Sequence, residues 1–341
     1  MSNPIQQHYL PKVAYLSFFE NSQKPGFIYL YQRSKEPVLT NIKNVAQERY
    51  LYSFVDENGQ YNFEIEKALE TLEARTRPIL EKLNQGQKSL QISAVEKGTL
   101  SEVIAYQAVR IPAFRRKVLQ EINSKFLEVT ALAMAQRKEV LAAHMEKARQ
   151  RNPSNSQEDT VSAEELQRLI LEGDFTCSVS GDDYFLGQAL QVGNHLFPAI
   201  LMKKIFLLYV TGTSFITSDY PVFLLSDPNL GLYGSGFLMA RILLPIGSHA
   251  ILYLENENNP TLLTEDQIVD VRYQKISPSK ARWINKCTIA HAENYLFASE
   301  ANEGIKKLFD RTKPPERFQV SHLFQKTRGR YSRHCHSQWV V

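Results

Sequence analysis

The octapeptide Phe215-Ile216-Thr217-Ser218-Asp219-Tyr220-Pro221-Val222 constrains the fold more than any other stretch of the chain. Apolar runs flank it, Leu207 to Val210 on one side and Val222 to Leu225 on the other. Short runs rich in β-branched and aromatic residues read as buried strands. Pro221 has no N–H to give a ladder and biases Tyr220 towards an extended backbone. Strand pairing must therefore break where Thr217, Ser218 and Asp219 stand. A carboxylate at the end of a buried strand needs partners, because leaving it unpaired costs on the order of several kcal/mol. Asp219 is the first candidate for a functional residue.

Strand signals recur at Phe27–Tyr31, Ile205–Val210, Ala240–Leu244, Ala250–Leu254 and Tyr295–Ala298. Between the first two the pattern turns helical. Ile65, Leu69, Leu72, Ile79 and Leu83 share one stripe, and Phe114, Val118, Ile122, Phe126 and Val129 another. Three capping-box patterns, at Thr99–Glu102, Ser162–Glu165 and Thr264–Gln267, predict helix starts. After Pro11 the spacing predicts a short helix burying Val13, Leu16 and Phe19 or their neighbours. The expected class is α+β: a mixed sheet packed with a largely helical block, about 62–204, inserted between N-terminal and C-terminal strand regions. One such domain would occupy 1–310, with 311–341 a basic tail of little order.

Charge is uneven. Residues 311–341 carry seven Lys/Arg against one Glu, and residues 100–151 carry ten against five. Such stretches suit an anionic partner, nucleic acid above all, although a solvated helix face looks the same in sequence. Three scattered cysteines without CxxC spacing argue against a disulfide framework and a thiolate zinc site. Without a secretory signal or an apolar run of about 18 residues, the expectation is a cytoplasmic protein with no membrane association. Gly231–Gly236 lacks the Lys-Ser/Thr of a phosphate loop, no GxSxG elbow is present, and His334-Cys335-His336 has no matching ligand pair.

Three passages together resemble a known family. They are Gln7-His8-Tyr9-Leu10-Pro11 with Leu16 and Phe19, then Lys43-Asn44-Val45-Ala46 with Glu48, Leu51 and Tyr52, then Thr217-Ser218-Asp219 with Pro221-Val222 and Leu244-Pro245. With Gln107, Arg110, Pro112 and Asn285 in order, the chain is similar to the bacterial family called domain of unknown function 4238. It departs from that family at Tyr220, where Asn is usual, and at Ile246-Gly247-Ser248, where a Ser-Pro is usual. The resemblance implies no activity.

Chemistry suggests one. If His8, Glu48 and Asp219 converge, they form an acid–base set, with Asp219 and Glu48 as ligands for Mg²⁺ or Mn²⁺. Gln7, Lys43, Tyr52, Arg110 and Ser218 would then bind substrate, Arg110 and Lys43 by neutralising phosphate. This reading is a metal-dependent hydrolase of phosphate-bearing substrates, such as a nuclease. The competing reading is a non-catalytic binding or regulatory module with a nucleic-acid or protein partner. In it Glu48 pairs with Arg110, Asp219 closes a local turn, and Gln7 and His8 cap the first helix. Arg137 and His144, seven apart on the long helix predicted from Ala113 to about Arg149, also resemble the Arg–His pair of HEPN-type ribonucleases, a pattern that charged helices produce often.

Overall fold

The computed structural model describes residues 5–56, 58–151, 161–177, 182–225, 240–257 and 264–314, with short stretches between 319 and 338. Six short strands come first: β1 (Gln6–His8), β2 (Phe27–Gln32), β3 (Val38–Asn41), β4 (Gln47–Arg49), β5 (Phe54–Val55) and β6 (Tyr61–Asn62). Helix α1 (Glu64–Asn84), strand β7 (Ser89–Ser93) and helix α2 (Ala94–Val109) come next. After a π-helical stretch, Phe114–Leu119, come α3 (Gln120–Ala135), α4 (Lys138–Arg151), α5 (Ala163–Glu172) and α6 (Asp182–Leu201). The second strand region holds β8 (Lys203–Tyr209), β9 (Thr217–Ser218), β10 (Phe223–Leu225), β11 (Arg241–Gly247), β12 (Ala250–Asn256) and β13 (Ile268–Lys275). Helix α7 (Pro278–His291), strand β14 (Tyr295–Ala298) and helix α8 (Glu303–Arg311) complete the body. The basic segment, read from sequence as a tail of little order, carries two short antiparallel pairs, Gln319–Ser321 with His336–Gln338 and Lys326–Thr327 with Arg330–Tyr331.

The class is α+β. A six-stranded sheet runs β10-β11-β12-β8-β13-β7, antiparallel except between β8 and β13. Period-two alternation puts its two faces into two cores. Ile205, Leu207, Ile242, Leu244, Leu252 and Leu254 join the large core with α1 and α2, while Leu208, Leu243 and Ile251 pack with Ala281 and Ile284 of α7. A smaller sheet, β3-β2-β14-β9, carries Tyr31 and Leu296 into a third cluster with Phe309 of α8.

Four expectations change. The helical block is interrupted by β7, whose Leu90 and Ile92 alternate with Gln91 and pair with β13 at the sheet edge. Helix α2 starts at Ala94 under a capping box of Ser93 and Glu96, so Thr99 and Ser101 lie inside it, bonding back to Val95 and Lys97 carbonyls. Thr264–Gln267 makes its local hydrogen bonds but opens strand β13, because Val269 and Val271 alternate and β7 and β8 are there to pair with. The predicted long helix breaks at Gln136 and Arg137, so Arg137 stands just before α4, whose Leu141 N donates to its carbonyl (3.1 Å), and His144 lies within α4. Near the N-terminus Val13 is exposed while Ala14, Tyr15, Leu16 and Phe19 are buried.

At Gly247 the sheet and α1 meet without room for a side chain. A Cβ there would stand 2.0 Å from Asn84 Oδ1, while Asn84 Nδ2 donates to Leu80 O (2.9 Å) and Ile246 O (3.0 Å). Gly247→Ala is expected to cost about 1–3 kcal/mol, as overpacking does. A thermal melt of Gly247→Ala beside Gly247→Ala/Asn84→Ala checks this: the double variant should recover part of the loss.

Candidate functional site around the first strand

Strand β1 lies against β4, with Gln6, Gln7 and His8 opposite Arg49, Glu48 and Gln47. The loop is held tightly: Ala46 and Tyr50, on either side of β4, both have φ of 53°, a left-handed conformation that non-glycine residues adopt rarely. Tyr9 N donates to Ala46 O and Tyr50 N to Ile5 O, each at 2.9 Å, which anchors both bends.

Gln7 is fully buried and acts as a brace. Its Nε2 donates to Ser53 Oγ (2.8 Å), and its Oε1 accepts from Tyr52 N (2.6 Å). His8 is half-buried, and its Nε2–H donates to the carbonyl of Lys43 at 3.3 Å. Burial, and then the Lys12 charge, lower its pKa to about 4, so it is neutral at pH 7. The Lys43 side chain is exposed. The Tyr9 carbonyl receives two donors from α2 and its end, Gln107 Nε2 at 2.9 Å and Arg110 Nε at 3.1 Å. Arg110 Nη1 holds Glu73 Oε1 of α1 at 2.9 Å, and Tyr52 OH donates to the Arg110 carbonyl at 3.4 Å.

His8, Glu48 and Asp219 each have partners of their own, although both carboxylates lie near enough to Tyr9 to push its phenol up, after burial. Glu48 is ion-paired with Arg116, its Oε2 at 2.5 Å from Nη2, so the expected Glu48–Arg110 pair is replaced by Glu48–Arg116 and Arg110–Glu73. Asp219 accepts from three backbone amides, Glu293 N (2.9 Å) on Oδ1 and Asn294 N (2.7 Å) and Tyr295 N (3.1 Å) on Oδ2. Burial pushes its carboxyl up to about 6 while those amides pull the other way. Its turn is thus long-range rather than local. Arg33 grips the same turn from the other polarity, donating to the carbonyls of Ala292 and Glu293, and ties it to the end of α8 through the carbonyl of Thr312. Ser218 Oγ closes on its own strand, donating to Tyr220 O (2.9 Å) and accepting from Tyr220 N (3.1 Å). Among the described residues no group of three or more His, Cys, Asp or Glu is placed to hold a metal ion.

Of the residues nominated from sequence, Gln7, His8, Tyr52 and Arg110 do come together. Sequence reasoning missed Glu73 and Glu66, seven apart and so on one face of α1. The basic stretch 100–151 spends Arg110, Arg115, Arg116, Lys125 and Lys138 on carboxylates or internal carbonyls. No described helix is long and apolar enough to cross a membrane. Residues 231–236 and the His334-Cys335 pair lie outside the described residues.

A family profile described as "Protein of unknown function (DUF4238)" matches residues 6–302, which spans β1 through the turn after β14. No curated protein and no solved structure shows significant similarity to the chain.

Proposed function

For a chain that belongs to the DUF4238 family, we propose the role of a non-catalytic binding module that docks a partner protein through α3. The observation that carries this reading is the outer face of α3. Ile122, Phe126 and Val129 are 41%, 68% and 56% exposed, and Ala133 continues the line. The sequence pattern marks this stripe as a core face, yet the described residues leave it uncovered. Its 4-3-4 spacing is that of a helix–helix seam, which fits a partner that presents an amphipathic helix. His8, Glu48 and Asp219 each spend polar atoms on structural partners, which supports binding over hydrolysis, since acid–base work needs those atoms free to meet a substrate.

Phe126→Asp should change stability by no more than about 0.5 kcal/mol, as exposed sites do, and should abolish docking. A photo-crosslinking residue at position 126 is expected to give a discrete adduct in cells, with none from the exposed control position Glu164. Light scattering on the purified chain separates a second copy from a different partner. No adduct, together with identical monomeric mass for wild type and Phe126→Asp, would remove the reading. Metal-dependent cleavage of labelled RNA or DNA that disappears in His8→Ala would replace it with the hydrolase.

A further inference from the structure

A π turn interrupts the stripe that carries the docking face. In an unbroken α-helix Phe114, Val118, Ile122, Phe126 and Val129 would share one side. The helix instead passes through π geometry at Phe114–Leu119 before α3 begins. A π turn holds about one residue more than an α turn, so the two ends of the stripe part company. Phe114 packs against the large core, whereas Ile122, Phe126 and Val129 are exposed.

Two arginines of the π turn tie it to the segment around β4. Arg115 Nη1 donates to Leu51 O at 2.8 Å. Arg116 grips Glu48 with two prongs, Nη1 to Oε1 at 3.2 Å and Nη2 to Oε2 at 2.5 Å. That segment is itself bent by the left-handed Ala46 and Tyr50. On α3, Asn123, Leu127, Thr130 and Met134 are half-buried, and each stands one residue after a member of the exposed line Ile122, Phe126, Val129 and Ala133.

That offset of one residue is the offset the π turn inserts. Conversion of the turn to α geometry would advance α3 by one residue, on the order of 100°. Ile122, Phe126, Val129 and Ala133 would then take the places of Asn123, Leu127, Thr130 and Met134. Ile for Asn and Phe for Leu add volume, Val drops the Thr hydroxyl, and Ala for Met gives volume back. The inward set becomes wholly apolar, which burial favours. Asn123 opposes the change, since its Nδ2 bonds to Leu119 O and Gln188 Oε1, both at 2.8 Å, in the present register.

We propose that the π turn is a register switch for the docking face, held by the Glu48–Arg116 grip. With the grip closed the turn stays π and α3 offers its apolar line. With the grip lost the turn relaxes to α, the line rolls inward, and the turn at Gln136 and Arg137 absorbs the change at the far end. Helix register shifts are an established class of two-state motion. The switch regulates docking only if the docking reading holds, but the register change itself needs no partner.

The test is the rate of iodoacetamide labelling at Val129→Cys and, separately, at Glu128→Cys, with the modified site located by mass spectrometry. In the present register position 129 is exposed and position 128 half-buried, and in the α register position 128 takes the place of 129. Position 129 should therefore label faster than 128 in the otherwise unchanged chain. Glu48→Ala should slow labelling at 129 and speed it at 128, each by about threefold or more. Deleting Lys117 removes one residue after both arginines, so an α turn then leaves α3 in its present phase. The deletion should keep position 129 fast even with Glu48→Ala. Unchanged rates in Glu48→Ala would overturn the switch, as would a rise at both positions, which marks a loosened helix instead of a turned one. The deletion can fail to fold, so Glu48→Ala, which removes a partly exposed ion pair, decides. Reversed labelling without any adduct from position 126 would keep the switch and remove the docking, and an adduct with unchanged labelling would do the opposite.

Discussion

Asp219→Ala should lower the unfolding free energy by about 3–5 kcal/mol, because it removes a carboxylate that accepts from three backbone amides, one buried and two part-buried, and a buried donor without its acceptor costs about 1–3 kcal/mol. The carboxylate reaches across from β9 to Glu293, Asn294 and Tyr295, where α7 has ended and β14 begins. Its own amide donates to Tyr295 O at 3.1 Å, and the next two residues, Leu296 and Phe297, pair with Ser218 and Thr217. The group therefore fixes the register of the small sheet as well as the turn. Asp219→Asn keeps one acceptor oxygen but turns an NH₂ towards N–H groups, so a loss of about 2 kcal/mol is expected there. Urea unfolding monitored by tryptophan fluorescence checks both. A loss under about 1 kcal/mol in Asp219→Ala would mean that the three amides find other acceptors.

Arg110→Met should be nearly as costly, about 3–5 kcal/mol, for a different reason. Methionine fills much of the volume, but Glu73 loses its ion-pair partner and Tyr9 O keeps only Gln107. A buried pair is more costly to break than to replace, so Arg110→Met/Glu73→Gln should recover at least about 1 kcal/mol relative to Arg110→Met alone. Additive losses in the double variant would show that the Glu73 contact contributes nothing and that the clamp on the Tyr9 carbonyl carries the whole effect.

Asp219 was legible in the sequence because Pro221 and two apolar runs leave no doubt that a carboxylate sits at a buried strand end. Its partners were not, since they lie 74 to 76 residues away and are backbone amides with no residue signature. Four of the six strands of the large sheet, β8, β10, β11 and β12, were legible from their apolar runs. β7 was missed although Ser89-Leu-Gln-Ile-Ser93 alternates cleanly, because five residues between two helical patterns carry too little periodicity to stand out. Thr264–Gln267 shows the limit of a local motif. The capping-box geometry partly forms, and long-range pairing still makes the next element a strand. The α3 stripe shows another limit: periodicity reveals that a face is apolar, not whether the chain itself or another molecule covers it. Glu66 and Glu73 were invisible for a related reason, as acidic residues on an amphipathic helix are expected on its wet side.

The place of β14 in the small sheet has a consequence for synthesis. It pairs with β2 on one edge and β9 on the other, so β2 meets this partner only after residues 295–298 have been made. At ribosomal rates of about 5–20 residues per second, that wait is on the order of tens of seconds. Over that interval Ile28 and Tyr31, both fully buried in the finished fold, belong to an incomplete sheet. Until β14 arrives, β2 keeps an unpaired edge of the kind that invites pairing with other chains, and a chain cut before residue 295 would keep it permanently.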